Sequence, residues 1–181
     1  MEWTLATIRE RSEFGWLEER RFEWVPLVQN CLGTVLSGSA VIILTDKERS
    51  WFGEYLVKSI NKPNKNRPFL PFFSAHCLFP GLDAFSAKET FGAYTDMLDI
   101  VFKHYIFWYI GRGDDKMTSF VRQREDSFLW IFDEQSSNSF YLKSIDSYHA
   151  ACIHPLKCFK AKPFSITETL PAPNLKTHAP V

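Results

Sequence analysis

A chain of 181 residues with 45% apolar and 16% aromatic content has enough material to bury the core of one full-sized domain. Its 21 basic and 21 acidic residues cancel to a formal net charge of zero, which excludes a global field that would draw in phosphate backbones or anionic membranes. No apolar run approaches membrane-spanning length, and Met1-Glu2-Trp3-Thr4 lacks the layout of a signal peptide, so a soluble, cytoplasmic protein is expected, without membrane contact or specific DNA binding of its own.

In chain order, residues 1–38 read as helical. Trp3, Leu5 and Ile8 predict a short first helix ending near Gly15. Leu17, Arg21, Trp24, Val28, Cys31, Leu32 and Val35 then recur at helical spacing. Pro26 either kinks this helix or opens one that starts later, and Gly38 is placed to cap its end in a left-handed conformation. Ser39-Ala40-Val41-Ile42-Ile43-Leu44 is the first strand. Thr45, with Glu48 three residues on, makes a capping box for a helix reaching about Ile60, and Ser86 with Glu89 does the same for one reaching about Phe102. Between them, Arg67 to Phe73 reads as the second strand, and its two prolines predict an edge position or a short ladder.

Tyr105 to Ile110 is the third strand, Lys116 to Gln123 a short helix, Phe128 to Phe132 the fourth strand and Asn138 to Leu142 a fifth. Strands without polar alternation suit a parallel sheet covered on both faces. The expected fold is therefore α/β, with a five-stranded, mainly parallel sheet between helices in three layers. From Asp146 the apolar spacing returns to helical, interrupted by Pro155 and Pro163. Residues 1–170 are read as a single domain and 171–181, with three prolines, as an extended or disordered tail.

Motifs that carry chemistry are weak. Gly111-Arg112-Gly113 follows a strand but lacks the third glycine of a dinucleotide loop, so a strand-to-helix turn is the better reading. Asp46, Asp114, Asp115, Asp133 and Glu134 fall at predicted carboxyl ends of strands, where carboxylates could gather around a magnesium ion. Helix N-termini favour acidic residues for electrostatic reasons alone, and that explains the same positions. The five histidines form no HxxxH or HExxH pair. The four cysteines show no metal-ligand spacing and read as small buried hydrophobes. No catalytic residue, metal or cofactor is assigned, and the alternative function is a metal- or phosphate-dependent enzyme of the sugar-phosphate isomerase or phosphatase type. Lys58, Lys62, Lys65 and Arg67 form a local basic patch around Pro63, read as a solvated loop.

Large aromatics on helices are in surplus. After the first strand, Phe52, Leu56 and Ile60 make one stripe, while Trp51 and Tyr55 make a second about 100° away around the helix. One stripe suffices to seat a helix on a sheet. The other points to a partner or subunit surface, where Trp and Tyr are favoured. Phe14 and Trp16, flanking Gly15, are the second candidate. Trp3, Trp16 and Trp24 exceed what one helical layer needs to bury, which predicts a closed oligomer.

Four blocks together resemble the HobA family: Phe14-Gly15-Trp16-Leu17-Glu18; Arg49-Ser50-Trp51-Phe52 with Tyr55-Leu56; Ile106 to Gly111; and Ser127 to Glu134. The family comprises small replication-initiation regulators of Helicobacter-type bacteria that bind the initiator protein DnaA. The resemblance implies a sugar isomerase (SIS)-like, flavodoxin-like domain, similar to DiaA and assembled as a homotetramer. It also implies a non-catalytic scaffold that holds the N-terminal domain of DnaA and promotes its assembly at the origin. Catalytic SIS domains carry Ser/Thr-rich loops for the sugar phosphate, whereas the equivalent turn here, Thr45 to Arg49, is acidic and without glycine. Pro155 and Pro163 depart from the family's continuous final helix.

Overall fold

The computed structural model describes residues 6, 8–10, 15–63, 68–82, 88–124 and 126–143, excepting the side chains of 88–90. Trp3, Phe14, Lys65, Arg67, the capping box at Ser86 and Glu89, and the segment 144–181 lie outside them. The elements are α1 (Gly15–Glu19), α2 (Arg21–Leu36), β1 (Ala40–Thr45), a 3₁₀ turn (Lys47–Arg49), α3 (Ser50–Ile60), β2 (Phe72–Ser74), α4 (Ala75–Leu78), α5 (Lys88–Val101), β3 (Tyr105–Arg112), α6 (Lys116–Val121), β4 (Phe128–Phe132) and β5 (Ser139–Leu142).

All five strands run parallel in the order β2-β1-β3-β4-β5. Every residue of β1 and β4 is buried, as are the first seven of β3. Side chains alternate between two apolar layers because the strand period is two. Val41, Ile43, Ile106, Trp108, Phe128 and Trp130 face a core closed by Leu17, Cys31, Val35, Phe52, Leu56 and Ile60 from α1, α2 and α3. Ile42, Leu44, Phe107, Tyr109, Leu129 and Ile131 face a second core, closed by Ala75, Tyr94, Leu98, Met117 and Val121 from α4, α5 and α6. The result is the expected three-layer α/β arrangement.

Several boundaries differ from expectation, each for a local reason. Gly15 opens α1 rather than closing an earlier helix. The chain then breaks at Arg20, and Trp24 Nε1 donates to the Leu17 carbonyl at 2.7 Å, which clasps α1 to α2. Pro26 does not open a later helix. It is the sixth residue of a helix that runs through it, and Phe22, whose carbonyl it leaves without a helical partner, is 78% exposed and open to water. The Thr45–Glu48 capping box is not formed. Thr45 stays in the ladder opposite Ile110, so the cap passes to Asp46, whose carboxylate accepts the Arg49 N–H at 3.0 Å.

The second strand is shorter and later than 67–73. Pro68 and Pro71 have no N–H to give a ladder, and the Asn61 side chain engages both backbone groups of Leu70 instead. Its edge position is as expected. Gly38 caps α2 as anticipated, with φ of 97°. The Ser39 N–H reaches Thr34 O and the Gly38 N–H reaches Val35 O, which is the Schellman pattern. Cys31 is buried, but Cys77 is exposed, because it lies on the outer side of the short α4 rather than in the core.

The two stripes of α3 separate as the spacing requires. Phe52 and Leu56 are 2% and 0% exposed, whereas Trp51 is 53% exposed and Tyr55 half-buried. Phe52→Ala or Leu56→Ala is expected to lower folding stability by about 2–5 kcal/mol through the cavity left behind. Trp51→Ala should change it by about 1 kcal/mol or less. Urea unfolding of the three variants measures the difference.

Candidate functional site: the carboxyl ends of the strands and the outer face of α3

In a sheet of this order the direction of strand addition reverses between β1 and β3, so ligands are expected at the carboxyl ends of those two strands. Asp46, Asp114, Asp115, Asp133 and Glu134 do lie at strand ends, but the local structure engages several of them. Asp46, 5% exposed, forms an ion pair with Arg49 Nη1. Its Oδ2 also accepts the Arg112 N–H at 3.0 Å, which bridges β1 to β3. Asp115 caps α6 by accepting the Met117 N–H at 2.8 Å, and Asp114 pairs with Arg112 Nε at 3.2 Å. Asp133 adopts a left-handed φ of 61° at the end of β4, and its N–H reaches the Leu142 carbonyl. Among the described residues, no three His, Cys, Asp or Glu side chains are gathered in a way that could hold a metal ion.

Gly111 and Arg112 are the last two residues of β3, paired with Ile131 and Phe132, and Gly113 begins the strand-to-helix turn to α6. The Arg112 carbonyl accepts both the Tyr109 hydroxyl, at 2.9 Å, and the Thr118 hydroxyl, at 2.6 Å. The turn is thus closed upon itself. Burial pushes the Tyr109 hydroxyl well above the ordinary tyrosine range, which keeps it a neutral donor. A Cβ at Gly111 would lie 2.8 Å from Asp46 Oδ2 and closer still to the Tyr109 hydroxyl, while the nearest atoms to one at Gly113 are those of the flexible end of Glu134. On the neighbouring strand end, Thr45 Oγ1 lies 3.1 Å from His76 Nε2.

Two recesses of the surface lie away from these strand ends. One of about 480 Å³ crosses the amino ends of β1 and β3, lined by Ser37, Asp99, Lys103, His104 and Arg124. Another of about 450 Å³ sits beside β5, lined by Arg20, Glu23, Ser139 and Tyr141.

The aromatic candidates fall in two places. Trp51 projects from the first turn of α3 with its ring edge-on to Phe52 at 5.6 Å, and Tyr55 stacks on Phe52 at 6.3 Å. Trp16 is half-buried and stacks on Phe140 of β5 at 6.3 Å. Since α3 packs on β1 and β2, the two clusters sit toward opposite edges of the sheet and are not one surface. Phe14 lies outside the described residues. Sequence reasoning missed two features. Phe69 is 71% exposed, just ahead of the Leu70 backbone that Asn61 anchors at the end of α3. Arg49 is 6% exposed, and the only sequence signal for its burial is its position three residues after Asp46.

Comparison with known proteins agrees with this architecture. A family model described as HobA, DNA replication regulator, matches residues 1–160. The DNA replication regulator protein HobA of Helicobacter pylori (strain ATCC 700392 / 26695) is 28% identical over 155 residues, spanning 81% of this chain and 82% of that protein. A crystal structure of a HobA-DnaA (domain I-II) complex from Helicobacter pylori superposes with a TM-score of 0.64 at 24% identity, covering 88% of this chain and 90% of that one. A crystal structure of HobA from the same organism gives the same TM-score and coverage at 23% identity.

Two outcomes follow from the geometry of the turn. Gly111→Ala should destabilise the fold by about 1–3 kcal/mol, since both opposing groups are held by hydrogen bonds, whereas Gly113→Ala should be nearly neutral. Denaturant titration of the pair measures this. Asp115 has its pKa raised, first by burial and then by the Asp46 and Asp114 charges. Its folded form binds a proton more tightly than the unfolded chain, so the stability it contributes is present at low pH and is lost as pH rises through the raised value. Asp115→Asn keeps the capping oxygen and removes the charge. Thermal unfolding should then be at least as stable at neutral pH, with a flatter profile through the carboxylate range.

Proposed function

Because the chain belongs to the HobA family of DNA replication regulators, we propose that it works in the cytoplasm by binding the N-terminal domain of the initiator DnaA, as a non-catalytic scaffold for initiator assembly at the origin. The observation that carries this reading is the outer face of α3. Trp51 is 53% exposed in a helix whose inner stripe is buried, and a large aromatic on a regular element is the type of residue that anchors protein interfaces. The Helicobacter pylori relative is known in a complex of HobA with DnaA domain I-II, which supports that partner class. Phe22, at 78% exposed, and Trp16 beside β5 supply further apolar surface for contacts between copies in a closed oligomer, of which a tetramer is the expected form.

The engagement of Asp46, Asp114 and Asp115 in two ion pairs and two caps favours a scaffold over a metal- or phosphate-dependent enzyme. No helix among the described residues is long and apolar enough to cross a membrane.

Isothermal titration against the DnaA N-terminal domain, with light scattering of the same samples, tests the proposal. The parent protein should bind and run as an oligomer, and Trp51→Ala or Tyr55→Ala should weaken partner or subunit association by about 1–4 kcal/mol without loss of cooperative unfolding. Absence of binding together with a monomeric mass would overturn it.

A further inference from the structure

The turn after β1 holds a buried arginine between a carboxylate and an aromatic ring. Arg49 is 6% exposed, in a residue class that is almost never buried unless paired. Its Nη1 donates to Asp46 Oδ2, and Asp46 is itself 5% exposed. The guanidinium carbon lies 4.5 Å from the centre of the Phe132 ring. The Asp46 carboxylate is completed by the backbone N–H groups of Arg49 and Arg112, both at 3.0 Å. A carboxylate set against an aromatic face is a receptor for a planar, delocalised cation.

This receptor is assembled from three strand ends. Asp46 follows β1, Arg112 ends β3 and Phe132 ends β4, at the point where the sheet would hold a ligand. Arg49 is also the residue immediately before α3, two positions ahead of Trp51. What fixes its guanidinium therefore fixes the entry of α3 and the aim of the Trp51 ring.

We propose that the Arg49 guanidinium is a tethered ligand of a guanidinium site formed by Asp46 and Phe132, and that its occupancy positions the Trp51 surface for the partner; the second half rests on the docking role given to Trp51 above. Arg49 is a positioning residue in this scheme. The site prefers a planar guanidinium to an ammonium, because only the former can meet the carboxylate edge-on while lying over the ring.

The test is chemical rescue. Arg49→Ala should unfold at a lower temperature than the parent, and ethylguanidinium at low millimolar concentration should raise that temperature saturably, whereas ethylammonium should not. The parent, whose site is filled, and the double variant Asp46→Asn/Arg49→Ala, whose site is dismantled, should show no saturable shift. Affinity of Arg49→Ala for the DnaA N-terminal domain should fall about tenfold and recover with ethylguanidinium. Arg49→Lys retains the charge and gives a second variant in which the loss of affinity should persist. Should Arg49→Ala be unfolded outright, a cooperative transition regained on adding ethylguanidinium supports the site.

Absence of any saturable effect of ethylguanidinium on Arg49→Ala would overturn the receptor, and parental affinity in Arg49→Ala or Arg49→Lys would overturn the positioning role. A parent that does not bind the DnaA domain would instead refute the docking reading, and the thermal arm would still decide the guanidinium site.

Discussion

The parallel ladder with both faces covered is the constraint on which the rest of the molecule depends. Once β1, β3 and β4 are buried on both sides, their backbone groups must be paired within the sheet and their side chains must be apolar. Polar groups are then displaced to the strand ends and to the outer faces of the helices. At the strand ends they are drawn into capping the helices that follow, as Asp46 and Asp115 are. The outer faces of the helices are left open to a partner, and there the chain places exposed aromatics such as Trp51 and Phe22.

That constraint also separates the helices by role. The inner stripe of α3 is set by the sheet, because Phe52, Leu56 and Ile60 complete the core against Ile43, Trp108 and Phe72. The outer stripe is free of that demand. Tyr55 nevertheless stacks on Phe52, so the outer rings are braced by the inner ones and lose little conformational freedom when a partner covers them.

Much of the architecture was legible because it rests on patterns the sequence carries locally. Unbroken apolar runs marked three of the strands, β1, β3 and β4, and Gly38 marked the end of α2. The separation of Phe52 and Leu56 from Trp51 and Tyr55 follows from helical period alone. What was not legible depends on long-range contacts. The cap moved from Thr45 to Asp46 because Ile110, far along the chain, holds Thr45 in the ladder. The burial of Arg49 needs Phe132 from β4, which no spacing connects to it. Likewise the spacing of Trp16 and Trp51 on the same layer of helices gives no hint that one lies by β5 and the other by β1 and β2.

The register of the sheet has a bearing on how the chain reaches this state. β1 sits between β2 and β3, and its pairing with β3 joins residues about 65 positions apart, from Ala40 with Tyr105 to Thr45 with Ile110. A parallel pair of that kind gains nothing until the whole intervening crossover has been closed. During synthesis the six residues of β1, five of them apolar, emerge well before their main partner, and in that interval they form an unpaired, aggregation-prone edge. Folding of this domain is therefore governed by the arrival of β3, and conditions that slow elongation between the two strands lengthen the time for which β1 is exposed.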